Sequence, residues 1–403
     1  MSERCAAKGR RQQHLYLAFD DWDSGYTIRK VCLSLSSGEG EGEGTEQPLA
    51  PGSSGEGNGG ANQQPPSGVF MRICAPRGAA NFFTSAFGTK ILVLHHGASD
   101  VTGVPIIDVE DWRLRFGPEL NYLACLIYFP VGDDRLFALD IGKFNLCLWT
   151  PEKRHGTWGW TPERRGTWVW QELTYPPFQR HEVSSYAVRP DGCILISTKS
   201  SGAAAAGTTF IFDTKEYVWR LYGHWAFLFT GRGYYDPSLE AFVGMSKDPN
   251  TLGYLYCCYL NSCTVASTAS TNSDTGSGLH PSPDWKCSKE TVYNKNSGER
   301  HVSATLVHMR RGKFCLVECV YIDDIRADQE VIRESGADQE LRKPGAAEGV
   351  SQRGGFTYGL KTFSIRYDAN GDLKLKHCRV RCYSPPHETT IGFISQDPAA
   401  FWM

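Results

Sequence analysis

Ser185-Tyr186-Ala187-Val188-Arg189-Pro190-Asp191-Gly192-Cys193-Ile194-Leu195-Ile196-Ser197 reads as one β-hairpin. Two apolar runs flank Pro190-Asp191-Gly192, where proline presets φ and glycine accepts a positive φ, so the chain reverses there. The pattern recurs along the sequence. Runs 126–131 and 135–139 flank Gly132-Asp133-Asp134, and Tyr234-Tyr235 and 241–244 flank Asp236-Pro237-Ser238. Runs 365–367 and 373–375 flank Asn370-Gly371, the strongest short-range hairpin signal. Amphipathic stretches of helical length are nearly absent, so the chain is expected to be all-β.

A finer regularity lies within these hairpins. An apolar strand ends in Asp, and an aromatic or apolar residue opens the return strand: Asp108 then Trp112, Asp140 then Phe144, Asp213 then Tyr217 and Trp219, Asp368 then Leu373. Asp20 followed by Trp22 and Tyr26 is a looser copy. An Asp carboxylate accepts the turn's own amide hydrogens, and the aromatic packs across the strand pair. Recurrence at one place in every unit argues for structure over catalysis.

Counting from the hairpin before this element, units begin near residues 15, 82, 126, 184, 232 and 302. Without the low-complexity insertions each unit is roughly 40 to 50 residues, the period of a four-stranded propeller blade. The expectation is one kelch-like β-propeller domain over 15–403, behind a polar tail at 1–14. Six blades fit best, with five or seven open because the first unit is fragmentary before Val69. Two β-sandwich domains are the architectural alternative. Insertions are expected at about 36–67, 200–207, 264–283 and 324–355, where Gly, Glu, Ser, Ala or charge replaces apolar residues. Two local duplications, 149–154 with 160–165 and 327–330 with 337–340, read as loop expansions.

Composition excludes some function classes. The 403-residue chain has a formal net charge of −2, so no global field draws it to nucleic acid or an anionic membrane. The basic runs 310–313 and 374–381 read as a hairpin tip and a solvated strand face. The N-terminal residues lack a secretory apolar core, and no apolar run approaches the ~18 residues of a membrane span. No Asn-x-Ser/Thr acceptor occurs, and Cys125, Cys147, Cys193, Cys257 and Cys315 sit in apolar runs as reduced thiols would. A reducing compartment, cytoplasm or nucleus, follows.

No nucleophile elbow, phosphate loop, dinucleotide fingerprint or His-Glu-x-x-His is present. Cys315 with Cys319, and Cys378 with Cys382, would share a strand face about 13 Å apart, too far for one zinc. His95-His96 diverge on a strand, and His301 reads as a satisfied strand-end histidine. No catalytic residue, metal or cofactor is expected. The segment from Trp149 to Trp170 does stand out, with tryptophans alternating with Lys153, Arg154, Arg164 and Arg165. That composition belongs to protein hot spots and to single-strand nucleic-acid platforms. Trp149, Arg154, Trp158, Trp160, Arg164 and Arg165 are therefore the candidate partner-binding residues, while Trp168 and Trp170 read as strand residues.

The stretches Tyr16-Leu17-Ala18-Phe19-Asp20-Asp21-Trp22, Ala86-Phe87-Gly88-Thr89-Lys90-Ile91, Ser185 to Gly192, Arg300-His301-Val302-Ser303-Ala304-Thr305 and Phe314-Cys315-Leu316-Val317-Glu318 resemble a plant family expanded in grasses. That family carries a domain of unknown function and is similar to kelch-like and F-box-associated propellers. The resemblance implies a propeller and brings no catalytic residues. It departs from kelch in lacking the Gly-Gly doublets, and no F-box-like module precedes residue 14.

The leading expectation is a non-enzymatic, monomeric interaction module that presents a propeller face to an unidentified protein partner. Ubiquitin-ligase machinery enters by family analogy only, and no membrane is expected. One alternative is an enzyme or small-molecule binder with a polar site at the central channel. A second is single-stranded nucleic-acid binding through the loop 149–170, which the charge balance disfavours.

Overall fold

In the computed structural model the described residues are 13–33, 68–74, 83–93, 104–117, 127–132, 135–140, 143–151, 166–199, 207–246, 248–260, 279–293, 298–322 and 355–403. Nearly all of the regular structure is strand. The chain opens with β1 (Leu15–Trp22), β2 (Gly25–Val31) and β3 (Val69–Cys74). A meander follows of β4 (Phe83–Phe87), β5 (Lys90–Val93), β6 (Val104–Asp108) and β7 (Arg113–Gly117). The next comprises β8 (Ile127–Val131), β9 (Arg135–Asp140), β10 (Lys143–Pro151) and β11 (Gly166–Glu172).

Then come β12 (Val183–Val188), β13 (Ile194–Thr198), β14 (Thr208–Asp213) and β15 (Val218–Gly223), and after them β16 (Gly231–Asp236), β17 (Ala241–Met245), β18 (Leu255–Tyr259) and β19 (Asp284–Cys287). The longest meander is β20 (Glu299–Arg310), β21 (Lys313–Ile322), β22 (Phe356–Tyr367) and β23 (Leu373–Tyr383). A short helix, α1 (Ile391–Ile394), leads into β24 (Ala400–Trp402).

Each run of four is an antiparallel sheet in chain order, except that the first sheet reads β24-β1-β2-β3. Its fourth strand comes from the far end of the chain, with Leu15 opposite Trp402 and Leu17 opposite Ala400. The first unit, fragmentary in the sequence, is therefore completed by residues about 385 positions away. A second departure is the parallel pairing of β12 with β16, which merges two meanders into one eight-stranded sheet. First strands begin at Leu15, Phe83, Ile127, Val183, Gly231 and Glu299, within three residues of the starts expected from sequence.

The core is divided between sheets, and the pleat explains how. Neighbouring residues of a strand point to opposite faces. Ile106 accordingly packs toward the third sheet with Tyr128 and Trp168, while Ile107 packs toward the first with Tyr26 and Phe19. Leu136 and Phe137 divide in the same way, as do Leu195 and Ile196, Phe242 and Val243, and Cys257 and Cys258. Both faces are thus buried, which is why these strands read as continuous apolar runs rather than alternating ones. Every consecutive pair of meanders shares an apolar cluster, and the last meander shares one with the first.

The Asp element is corrected by this topology. Asp108 and Asp213 end third strands and Asp368 follows one, but Asp140 ends a second strand, and Asp20 and Asp236 lie in first strands. The carboxylate marks tight reversals wherever they occur, because any turn offers unpaired amides. Asp213 accepts from Lys215 and Glu216, Asp368 from Asn370 and Asp372, and Asp236 from Ser238 and Leu239. Turn amides draw the Asp213 and Asp368 carboxyls below their ordinary range. Trp112, Tyr217 and Glu240 take up the positive φ near 50° that this reversal needs.

The expected insertions fall between strands, and residues 36–67, 200–206 and 324–354 lie outside the described residues. The stretch 264–283 is corrected in part. His280 stacks on Tyr222 at 4.0 Å, its amide donates to the Tyr222 carbonyl, and its own carbonyl accepts the Trp225 indole. The end of that stretch is docked. Among the described residues, no helix is long and apolar enough to cross a membrane.

Candidate functional site

First strands of five meanders, together with the segment entering β24, surround a cavity of about 520 Å³. Phe83, Ile127, Tyr128, Tyr186, Arg232 and Thr305 line it from five different sheets or meanders. Two guanidinium groups, Arg180 and Arg232, and one carboxylate, Asp397, also border it. A smaller cavity of about 240 Å³ lies beside it and shares Tyr186, Arg232 and Tyr234. His308 and Arg189 line this second space.

The parallel pairing of β12 with β16 builds the polar part. Its register sets Tyr186 directly beside Arg232, and the pleat returns Tyr234 to the same face two residues on. Arg232 lies over the Tyr234 ring at 4.8 Å, and the Tyr234 hydroxyl donates to the Leu306 carbonyl at 2.9 Å. The guanidinium therefore rests on a ring that β20 holds in place. Burial pushes the Tyr186 hydroxyl up from its ordinary value, and the opposing pull of Arg232 and Arg180 is smaller. Tyr186 remains a neutral donor at physiological pH.

Behind this wall sits a buried carboxylate. Asp236 meets His308 Nε2 at 2.9 Å and accepts from the Gly312 amide and the Ser238 hydroxyl. Burial pushes its carboxyl up, but hydrogen bonds from His308, Ser238 and Gly312 outweigh it and hold Asp236 at about 2. Ser238 and His308 bind different oxygens of the same carboxylate and not each other. No nucleophile is activated by this arrangement. Its work is structural: Asp236 ties the first hairpin of one meander to the first hairpin of the next.

The residues singled out in sequence fare unevenly. Trp149 opposes Trp168 in the β10–β11 ladder, Trp168 is buried in the core and Trp170 packs against it. Arg154, Trp158, Trp160, Arg164 and Arg165 lie outside the described residues, as do His95, His96 and Cys125. His301 stacks on Tyr293 at 3.9 Å and bonds the buried Glu318 at 3.0 Å, so its ring is satisfied. The basic runs are a hairpin tip, where Arg310 pairs with Lys313, and the exposed strand β23.

Sequence reading missed Arg232 and Tyr186 as site residues. The available signal was local: Gly231-Arg232-Gly233-Tyr234 puts a cation between two glycines in a first strand whose other residues are aromatic up to the closing Asp236.

The cysteines behave as core residues. Cys147, Cys257, Cys315 and Cys319 are buried, and burial pushes each thiol up to about 12, with Cys258 also driven upward. The thiolate is the reactive species, so these groups are inert while folded. At pH 8 an aromatic disulfide reagent is expected to label Cys32, Cys74, Cys287 and Cys378, which are exposed. The five buried thiols should react only in denaturant. Mass-spectrometric mapping that found Cys315 or Cys257 labelled in the native protein would contradict this packing.

No curated protein matches the chain in sequence. Among solved structures it is similar to a protein from Lactobacillus plantarum, with a TM-score of 0.39 and 7% identity over 93% of this chain and 99% of that one. A family model described as "Protein of unknown function (DUF1668)" matches residues 12–383, so the chain belongs to the DUF1668 family.

Proposed function

We propose that this chain is a six-bladed, kelch-like β-propeller acting as a non-enzymatic binding module, with a protein partner docked on its rim between β3 and β7. The propeller reading is supported by the six meanders, by the apolar clusters shared between each neighbouring pair including last with first, and by the β24–β1 pairing. The eleven described cysteines are all free, which supports a reducing compartment, cytoplasm or nucleus.

The observation that carries the docking surface is an exposed apolar row. Trp112, Leu114 and Phe116 are 66%, 50% and 58% exposed; the pleat places Leu114 and Phe116 on one face of the edge strand β7, and Trp112 lies in the turn that enters it. The Phe70 ring of β3 meets Trp112 at 4.5 Å in a tilted contact, and Val69 beside it is also exposed. Contiguous exposed aromatic surface on an edge strand is the kind that partners cover. Arg113 and Arg115 alternate with the row, so the fitting partner segment offers apolar anchors flanked by carboxylates.

The test is a Leu114→Asp, Phe116→Asp double variant. Both side chains are exposed, so the midpoint of thermal unfolding should hardly move. Affinity capture with the full wild-type chain should recover a partner that the variant loses, and the purified partner should bind wild type alone. Identical recovery by both chains, or turnover of a small molecule with no partner at all, would remove this reading.

A further inference from the structure

The central cavity suggests a second site, separate from the rim. It is bordered by first strands, opens to solvent and falls within the roughly 300–1,000 Å³ of small-molecule sites, at about 520 Å³. Its lining is divided. Arg232, Tyr186 and Ser184 gather where β12 meets β16, while Phe83, Ile127 and Leu306 supply apolar wall elsewhere.

Arg232 is the informative residue. A guanidinium placed over an aromatic ring is held in one orientation with its N–H edge free to meet an oxyanion. Here the ring, Tyr234, is itself anchored to Leu306. Among the described residues no carboxylate pairs with Arg232. Asp236, four residues on, is committed to His308, Ser238 and Gly312. Asp397 lines the cavity with a partner of its own. Tyr186 stands beside Arg232 as a neutral hydroxyl donor.

The geometry points to a binding site for a small organic acid, with its carboxylate on Arg232 and Tyr186 and its apolar body against Phe83, Ile127 and Leu306. A charge-assisted pair in a partly apolar cavity discriminates against the neutral amide of the same shape.

The experiment is isothermal titration of the full chain with phenylacetate, phenylacetamide and inorganic phosphate as probes. Phenylacetate is expected to bind one to one, at least about tenfold tighter than phenylacetamide. Arg232→Met, which keeps the stem length and removes the charge, should lower phenylacetate affinity about tenfold or more. Tyr186→Phe keeps the ring, removes the donor and should cost about three- to tenfold; it carries the test if Arg232→Met does not fold. The Leu114→Asp, Phe116→Asp variant should bind phenylacetate as wild type does, so failure of the rim reading leaves this one standing. Equal binding of phenylacetate and phenylacetamide, unchanged affinity in both cavity variants, binding of phosphate alone, or no binding of any probe would each overturn the assignment.

Discussion

A chain ending at Pro398 is expected to lose cooperative folding at physiological temperature, although it lacks only five of its 403 residues. Those residues form the fourth strand of the first sheet. The His14 amide donates to the Met403 carbonyl at 2.7 Å, and the Met403 amide returns the bond at 3.1 Å. The Ala18 amide donates to Ala399 at 3.0 Å, and the Trp402 indole reaches Gln13.

Removing β24 leaves the backbone groups on the edge of buried β1 that faces it, those of His14 and Ala18 among them, without partners, while the pairing of β1 with β2 remains. Each buried unsatisfied group costs about 1–3 kcal/mol, so the total is on the order of 5 kcal/mol or more. A domain with 5–15 kcal/mol of stability has little left after that. Thermal unfolding followed by circular dichroism is the check. A truncated chain melting within about 5 °C of the full one would show that the first sheet does not depend on its distant strand. Adding the missing segment as a peptide should partly restore the transition, since pairing then needs no covalent link.

Asp236→Asn is expected to destabilise the protein by on the order of 3 kcal/mol at pH 7. The carboxylate is fully buried and accepts from a histidine ring, a hydroxyl and main-chain amides. An amide side chain offers one acceptor oxygen and turns donors toward the remaining partners, leaving a buried N–H unpaired.

The pH dependence follows from the sign of the shift. The folded carboxyl, at about 2, lies below its ordinary 3.8, so its contribution is fully present above the unfolded value and is lost as pH falls. That contribution is roughly 2 kcal/mol and disappears between about pH 5 and pH 2. The stability gap between wild type and Asp236→Asn should therefore be flat above pH 5 and narrow below it. Urea unfolding at pH 7, 5, 4 and 3 measures this. A gap that stays constant down to pH 3 would mean that the Asp236 carboxyl is not depressed in the folded protein.

Other features divide by the range of their causes. The turn at Pro190-Asp191-Gly192 was readable because its chemistry is contained within four residues: Gly192 takes φ 89° and the Cys193 amide meets Asp191. The aspartates were legible as turn residues but misread as one repeated position, because their preference is for a reversal and carries no label for which strand it ends. Cys257 and Cys258 face opposite ways, which the pleat alone decides. Trp168 was readable as a strand residue, whereas the exposed row of Trp112, Leu114 and Phe116 was not. Alternation with Arg113 and Arg115 shows two faces of a strand and not which one is covered.

The sequence by itself determined the all-β class, the hairpin reversals and the approximate starts of the six meanders. These follow from φ preferences and side-chain alternation acting over a few residues. Only the tertiary structure decided that Ala400–Trp402 completes the sheet begun by Leu15–Trp22, because a three-residue strand carries no periodicity of its own. The same holds for Tyr186 beside Arg232, whose parallel register is set by how two meanders pack. Pairings across 46 or 387 residues (186 to 232, and 15 to 402) depend on loop closure and on the fit of whole sheets, which local preference does not encode.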